Sequence, residues 1–214
     1  MVSSSKHVLV VGASSGIGLG IAKELALIVA KLTLCSRSHP VEVLETNKTN
    51  KTINPSVEVV REKLDVSLLH EIRNFTTKYL LILLTFLVVS VARFMLVHDM
   101  LEGLNRPGVR VLNVLAGGIG GAIDVDDLDL KHTYSTKRSL SMPPRLPSCM
   151  GTRHAPESCS NYMVSGLLNG DYATGWYLLN RNAEVVSKTQ YHTEELKDIV
   201  WKHTLKTTND IIKQ

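Results

Sequence analysis

Val8-Leu9-Val10-Val11-Gly12-Ala13-Ser14-Ser15-Gly16-Ile17-Gly18 decides how this chain is read. A run of four apolar residues ends in a glycine-rich turn, and the turn opens a helical pattern. Apolar Ile17, Ile21, Leu25 and Ile28 fall on one face from Ile17 to about Ala30. The order is strand, glycine turn, helix. Glycines let the backbone of such a turn approach a diphosphate closely, and the helix that follows aims its positive N-terminal end at the same group. The stretch therefore predicts a dinucleotide site within the first eighteen residues.

Outward from it, Lys31–Arg37 reads as a second strand and its exit, with Cys35 as a small buried thiol. Residues 38–55 hold Pro40, Pro55 and several Asn and Thr, which suits a loop. Val57–Val60 alternates and is β-branched, a third strand running toward Lys63-Leu64-Asp65-Val66. Ser67 fits an N-cap, with Glu71 in the first turn, for a helix to about Lys78. This order argues for a parallel sheet with crossover helices. The expected fold class is α/β, a Rossmann-like doubly wound parallel sheet, forming a single domain over residues 1–214.

Tyr79 to Ala92 is nearly unbroken apolar sequence, continued past Arg93 to Val97. A membrane span needs about 20 apolar residues. Here the charge of Arg93 falls inside any such span, at a cost of about 2.5–3.5 kcal/mol near a helix centre. The stretch reads instead as a buried or subunit-interface helix over Leu80–Leu101, with a strand at Leu80–Leu84 as a variant. Homo-oligomerisation through 80–101 follows, since a monomer would expose a large apolar patch.

Val109–Leu115 reads as a buried strand, followed by a glycine loop at 116–121. Asp124–Leu130 is acidic and reads as a solvated turn; it lacks the glycine and terminal glutamate of an EF-hand. Residues 135–174 bring Pro143, Pro144, Pro147 and Pro156 among Ser, Arg and Gly with no sustained period, and are expected to be irregular. Gly175–Asn180 reads as a short strand. Thr193 caps an amphipathic helix over 194–203.

A formal net charge of +4, with no block of like charges, suits an anionic small molecule rather than nucleic acid. Two Trp and three Phe are too few for a base-stacking platform. Cys149 and Cys159 form no CxxC pair, so no metal site is expected. Met1–His7 leads straight into the first strand with no secretory signal, which makes a cytoplasmic location the expectation.

The spacing Gly12-x-x-x-Gly16-x-Gly18, with Ser14 and Ser15 between, resembles the nucleotide loop of the short-chain dehydrogenase/reductase family. The resemblance covers 6–78 well and 86–134 moderately, and is especially close in character to fungal reductases of secondary metabolism. It implies that Gly12 makes the tight turn, Gly16 admits the phosphates and Gly18 allows close helix–strand packing. Ser14, Ser15 and the Ile17 segment would supply donors. Many NAD-specific relatives carry Asp at the end of strand two, where this chain has Arg37. An Arg there pairs with a 2′-phosphate, so the implied cofactor is NADP(H). Asp65-Val66 matches the family's acidic-apolar pair that contacts adenine.

The rest of the family pattern is altered. Its Asn-Asn-Ala-Gly strand end is absent, and strand four and the strand-six region are expected to be missing or altered. Leu115-Ala116-Gly117 stands where the family has a catalytic Ser. The Tyr-x-x-x-Lys motif is reduced to Tyr134-Ser135-Thr136-Lys137-Arg138. Tyr134 is the remaining candidate proton donor, with Lys137 one residue short and Arg138 at the right spacing but too basic for the role. The chain reads as a shortened, partly degenerate member: an NADP(H)-dependent oxidoreductase on a small-molecule carbonyl or alcohol, with catalysis in question. The alternatives are a non-catalytic nucleotide-binding or dimerising remnant, or a membrane-associated protein anchored by 79–97. The resemblance implies that the irregular 135–174 stands in place of the substrate region.

Overall fold

The computed structural model describes residues 6–38, 54–79, 86–89, 93–114, 122–129, 131–133 and 156–213. The chain divides into two compact units, 1–114 with 154–175, and 115–153 with 176–214.

The first unit is built on a five-stranded sheet. In chain order its elements are β1 (His7–Val11), α1 (Gly16–Ala26), β2 (Lys31–Ser36), β3 (Glu58–Lys63) and α2 (Leu69–Tyr79). Then follow β4 (Phe86–Val89), α3 (Arg93–Asp99), α4 (Leu101–Leu104), β5 (Arg110–Asn113), α5 (Pro156–Leu168) and a 3₁₀ turn at Gly170–Tyr172. Every pairing is parallel and the strand order is β3-β2-β1-β4-β5. The chain winds outward from β1 to β3, then returns to β1's other edge for β4 and β5. The winding direction thus reverses between β1 and β4, as the doubly wound reading requires.

Side chains alternate across the sheet and so build two layers. Val8 and Val10 of β1 and Leu32 and Leu34 of β2 are fully buried against Ile21 and Leu25 of α1 and Val164 and Leu167 of α5. Leu9, Val11, Thr33 and Cys35, offset by one residue, are equally buried on the other face. Tyr79 of α2 lies on that face, close to Thr33 and Cys35. Burial, with the Glu62 carboxylate beside it, raises the pKa of the Tyr79 hydroxyl. The Cys35 thiol is likewise pushed up by burial, consistent with a packed and inert role. α2 is tied to α3 by Arg73 Nε, 3.0 Å from Asp99 Oδ2.

Strand four is present, which corrects the expectation that it is missing. The apolar run 79–97 contains β4 and the start of α3, not one long helix over 80–101. A central parallel strand is paired along both edges and reads as a continuous apolar run, which periodicity cannot tell from a buried helix. The basis for self-association through a long 80–101 helix goes with it. No described helix is long and apolar enough to cross a membrane.

A second correction falls within 135–174, where α5 occupies 156–168. Pro156 stands at the first helical position and Glu157 in the first turn, both favoured there. The helix hid because its inner face mixes Cys159, Val164 and Leu167 with Ser160, which is 1% exposed. The Ser160 hydroxyl donates to the Glu157 carbonyl at 2.8 Å and so brings no unpaired polar group into the core. At its far end, Arg110 Nη1 of β5 donates to the carbonyls of Leu167 at 2.7 Å and Asn169 at 2.8 Å. A cation is thereby placed on the negative end of α5.

α1 ends on a side chain from the loop before β3. Asn54, 4% exposed, donates from Nδ2 to the carbonyls of Ala26 at 2.8 Å and Val29 at 3.3 Å. Its Oδ1 accepts from the Ser56 hydroxyl at 2.7 Å.

In the second unit, Asp127 corrects the picture of a solvated acidic turn. It is buried, and its carboxylate accepts from the backbone N–H of Lys131, His132 and Thr133 and from the Thr133 hydroxyl, at 2.7–3.1 Å. The Thr133 hydroxyl and these amides hold its pKa down to about 2. Asp129 pairs with Lys131 at 2.9 Å and with His203 Nε2 at 3.1 Å. Gly175–Asn180 is not a strand; Leu179 makes a single antiparallel bridge to Val185. The final helix, α6 (Glu194–Ile212), is capped by Thr193, which accepts from the Leu196 N–H at 3.2 Å. It runs nine residues beyond the expected His203.

Two outcomes follow from these anchors. Asn54→Leu strands two buried helix-end carbonyls and should cost about 1–3 kcal/mol in urea unfolding; an unchanged midpoint would remove Asn54 from the account of α1. Asp127 has a folded pKa below its unfolded value of about 3.9, so its stabilisation is full above that pH and is lost as pH falls toward about 2. Asp127→Asn should flatten the loss of order around 131–133 in that window, measured by amide exchange.

Candidate functional site

Three strand ends line up at the carboxyl edge of the sheet. Val11 lies opposite Cys35, and Ser36 opposite Lys63, so the exits of β1, β2 and β3 stand side by side. In an open parallel sheet this edge, at the point where the winding reverses, is where a crevice forms.

The glycine turn fills that position. The Cys35 carbonyl accepts from the N–H of Gly12 at 2.9 Å and of Ala13 at 3.3 Å, binding the turn to β2. Gly12 has φ +86°, a left-handed conformation that favours glycine. Gly16 has φ +56°, and a Cβ built there meets nothing within 4 Å. The space over the turn is open, and the backbone conformation is what calls for glycine. At Gly18 the reason is different: a Cβ would stand 2.1 Å from the Gly12 carbonyl oxygen. Gly18 thus lets α1 close onto the turn itself, a tighter contact than the helix–strand packing expected of it.

Ser15 is the N-cap of α1, extended at φ −162° and ψ 174°, and its hydroxyl makes no capping bond to the helix. The Ser15 carbonyl accepts from Leu19 N–H at 3.3 Å. The first-turn N–H groups of Gly16, Ile17 and Gly18 have no carbonyl a turn behind them and point out of the helix start. Ser14 is half-buried beside them, and Ile17 packs against the core. Partial positive charge, open space and two hydroxyls meet here, a combination suited to an anion.

Arg37 is exposed, one residue past β2. The residue before it fixes that exit: Ser36 is buried and its hydroxyl donates to the Ser38 carbonyl at 2.7 Å. The Ser36-x-Ser38 pattern is the sequence signal for this exit. Asp65 and Val66 are half-buried just after β3. Asp65 Oδ1 accepts from Ser67 N–H at 2.9 Å and from the Ser67 hydroxyl at 2.6 Å. The Asp65 N–H donates to Glu71 Oε2 at 2.9 Å. The Ser67 bonds, with the Arg37 and Lys63 charges nearby, hold the Asp65 carboxyl below its ordinary range. Ser67 is therefore not the N-cap of α2: the first helical bond runs from the Ile72 N–H to the Leu68 carbonyl, and the Asp65–Ser67 bonds close the turn before the helix.

Gly12, Ser14, Ser15, Gly16, Ile17, Gly18, Arg37, Asp65 and Val66 all lie on one edge of the first unit. Tyr134, Lys137 and Arg138 lie outside the described residues. Among the described residues, no three His, Cys, Asp or Glu side chains converge as metal ligands.

No family model matches the sequence, and no curated protein does. Solved structures do resemble it. One is an alcohol dehydrogenase from the archaeon Thermococcus sibiricus complexed with 5-hydroxy-NADP, at 25% identity and TM-score 0.43 over 52% of this chain and 58% of that one. Another is an actinorhodin polyketide ketoreductase with NADPH, at 22% identity and TM-score 0.45 over 60% of each chain. A third is a metagenomic short-chain oxidoreductase in complex with NADP, at 19% identity and TM-score 0.46 over 56% of this chain and 65% of that one. This chain spans less than two thirds of the length of each.

The two glycines at the start of α1 should respond differently to alanine. Gly16→Ala meets no atom and should cost about 1–2 kcal/mol from its left-handed backbone. Gly18→Ala drives a methyl into a backbone carbonyl and should cost more, about 2–3 kcal/mol or beyond, with α1 displaced. Thermal unfolding of both variants checks the order; a milder Gly18→Ala would contradict the close approach at Gly12.

Proposed function

We propose that this chain binds NADP(H) and descends from an oxidoreductase of the short-chain dehydrogenase/reductase type that acts on a small-molecule carbonyl or alcohol. The observation that supports the reading is the open glycine turn at the carboxyl edge, with the exposed Arg37 at the exit of the neighbouring strand. The first-turn amides of α1, with Ser14 and Ser15, would hold the diphosphate. Arg37 would pair with the 2′-phosphate, and Asp65-Val66 would border the adenine. When bound there, the nicotinamide cofactor would supply the hydride for reduction of a carbonyl. The carbonyl oxygen must then take a proton, and Tyr134 is proposed to hold it. Lys137 or Arg138 would provide positive charge in place of the usual lysine.

A second reading is favoured by the residues after β5. Leu115-Ala116-Gly117 carries no hydroxyl where the family's catalytic serine belongs. On that reading the protein binds the nucleotide without turning it over.

Fluorescence titration tests the first step. NADPH should bind tighter than NADH by about ten- to a hundredfold, as a charge-assisted pair worth about 1.5–3 kcal/mol implies. Arg37→Ala should remove most of that difference, and equal affinities in the wild type would overturn the NADP(H) reading. If carbonyl reduction is detected, Tyr134→Phe should slow it by about 10²–10⁴-fold with binding intact. Tight NADPH binding with no turnover of any carbonyl tried would favour the second reading.

A further inference from the structure

The cations on and beside this sheet differ in their partners: Arg110 is held by two carbonyls, and Arg61, mid-strand on β3, is exposed with no carboxylate within 4 Å among the described residues. Lys31 and Lys78 are each held by a glutamate at 2.7 Å. Arg37 and Lys63 are both exposed, and among the described residues neither has a carboxylate within 4 Å. Both stand at the carboxyl edge. Lys63 closes β3 directly opposite Ser36, and Arg37 is the next residue after Ser36. The Leu64 N–H donates to the Ser36 carbonyl at 3.0 Å, which locks the two strand exits together. Neighbouring strands lie about 4.8 Å apart, so two side chains of this length can converge on one small anion. The Asp65 carboxylate lies near enough for both charges to be felt, but among the described residues it forms no ion pair within 4 Å with either. Asp65 is engaged by Ser67 through two hydrogen bonds, at 2.6 and 2.9 Å.

A phosphate monoester carries about −1.5 to −2 charges near neutral pH. One guanidinium leaves about half of that unbalanced. We propose that Lys63 is the second cation of the 2′-phosphate seat, forming with Arg37 a two-point clamp that selects NADP(H) over NAD(H). This rests on the NADP(H) reading above and assigns it a specificity residue on β3. Arg37 offers a planar fork to the phosphate oxygens, and Lys63 adds a compact charge from the neighbouring strand.

The test compares NADPH and NADH binding to the full chain carrying Lys63→Gln, Arg37→Gln or both. Lys63→Gln should weaken NADPH about three- to tenfold and leave NADH unchanged, since an exposed ammonium contributes less than a bidentate guanidinium. The double variant should bind the two nucleotides alike. The salt dependence of NADPH binding should also become shallower in Lys63→Gln. Lys63 is exposed, so an unchanged melting temperature should confirm the fold. If the wild type prefers NADPH and Lys63→Gln keeps the same preference, or weakens both nucleotides equally, this inference fails and the NADP(H) reading stands. If the wild type shows no preference, the reading fails and the inference with it.

Discussion

The first unit depends on a near-contact between two glycines. With no side chain at Gly18, the first turn of α1 settles onto the Gly12 carbonyl at a distance no Cβ would permit. That carbonyl belongs to a turn already bound to β2 through the Cys35 oxygen. Helix, turn and two strands are thereby fixed to one another. The direction of α1 then delivers Ile21 and Leu25 onto Val8, Val10, Leu32 and Leu34, and leaves the outer flank of the helix for Val164 and Leu167 of α5. It also sets the helix start at the carboxyl edge. Packing and site geometry share one cause here.

Legibility followed the sharpness of local patterns. β1, α1 and β2 could be read because the hydrophobic period changes abruptly at glycines. The third strand was found but placed short, since it continues through Arg61, Glu62 and Lys63, charged residues of a sheet-edge strand. β4 was hidden by excess rather than absence of signal: in unbroken apolar sequence, strand and helix look alike. α5 was hidden by small polar residues such as Ser160, whose hydroxyl finds a partner on its own helix backbone. Asn54 sat in a stretch that reads as plain loop. Its function as the terminus of α1 depends on partners 25 and 28 positions away, which no local window contains.

The site was legible to the extent that it is made of backbone. Glycine spacing specifies turn geometry, and that geometry is present. Side-chain roles were harder, because the same residue types build turns and recognise ligands. Asp65 shows this. Its position suits a nucleotide contact, while its carboxylate is already hydrogen-bonded to Ser67. In the sequence Lys63 is one charge among several at the end of the third strand. It stands out only once the register sets it beside the exit of β2.

The strand order also governs how the chain assembles. β1 and β2 can pair early, with only α1 between them. The other edge of β1, however, waits for β4, which begins at Phe86. During synthesis a central strand made of His7–Val11 therefore presents an unmated row of amides and carbonyls while the intervening chain emerges. Its apolar face stays partly bare until α5 arrives after residue 155. Such nascent edges invite pairing between neighbouring chains. The pairing of β1 with β4 is also non-local in sequence, the kind of contact that slows folding across proteins. The yield of folded protein should thus hinge on how long β1 remains half-dressed, more than on the stability of the finished sheet.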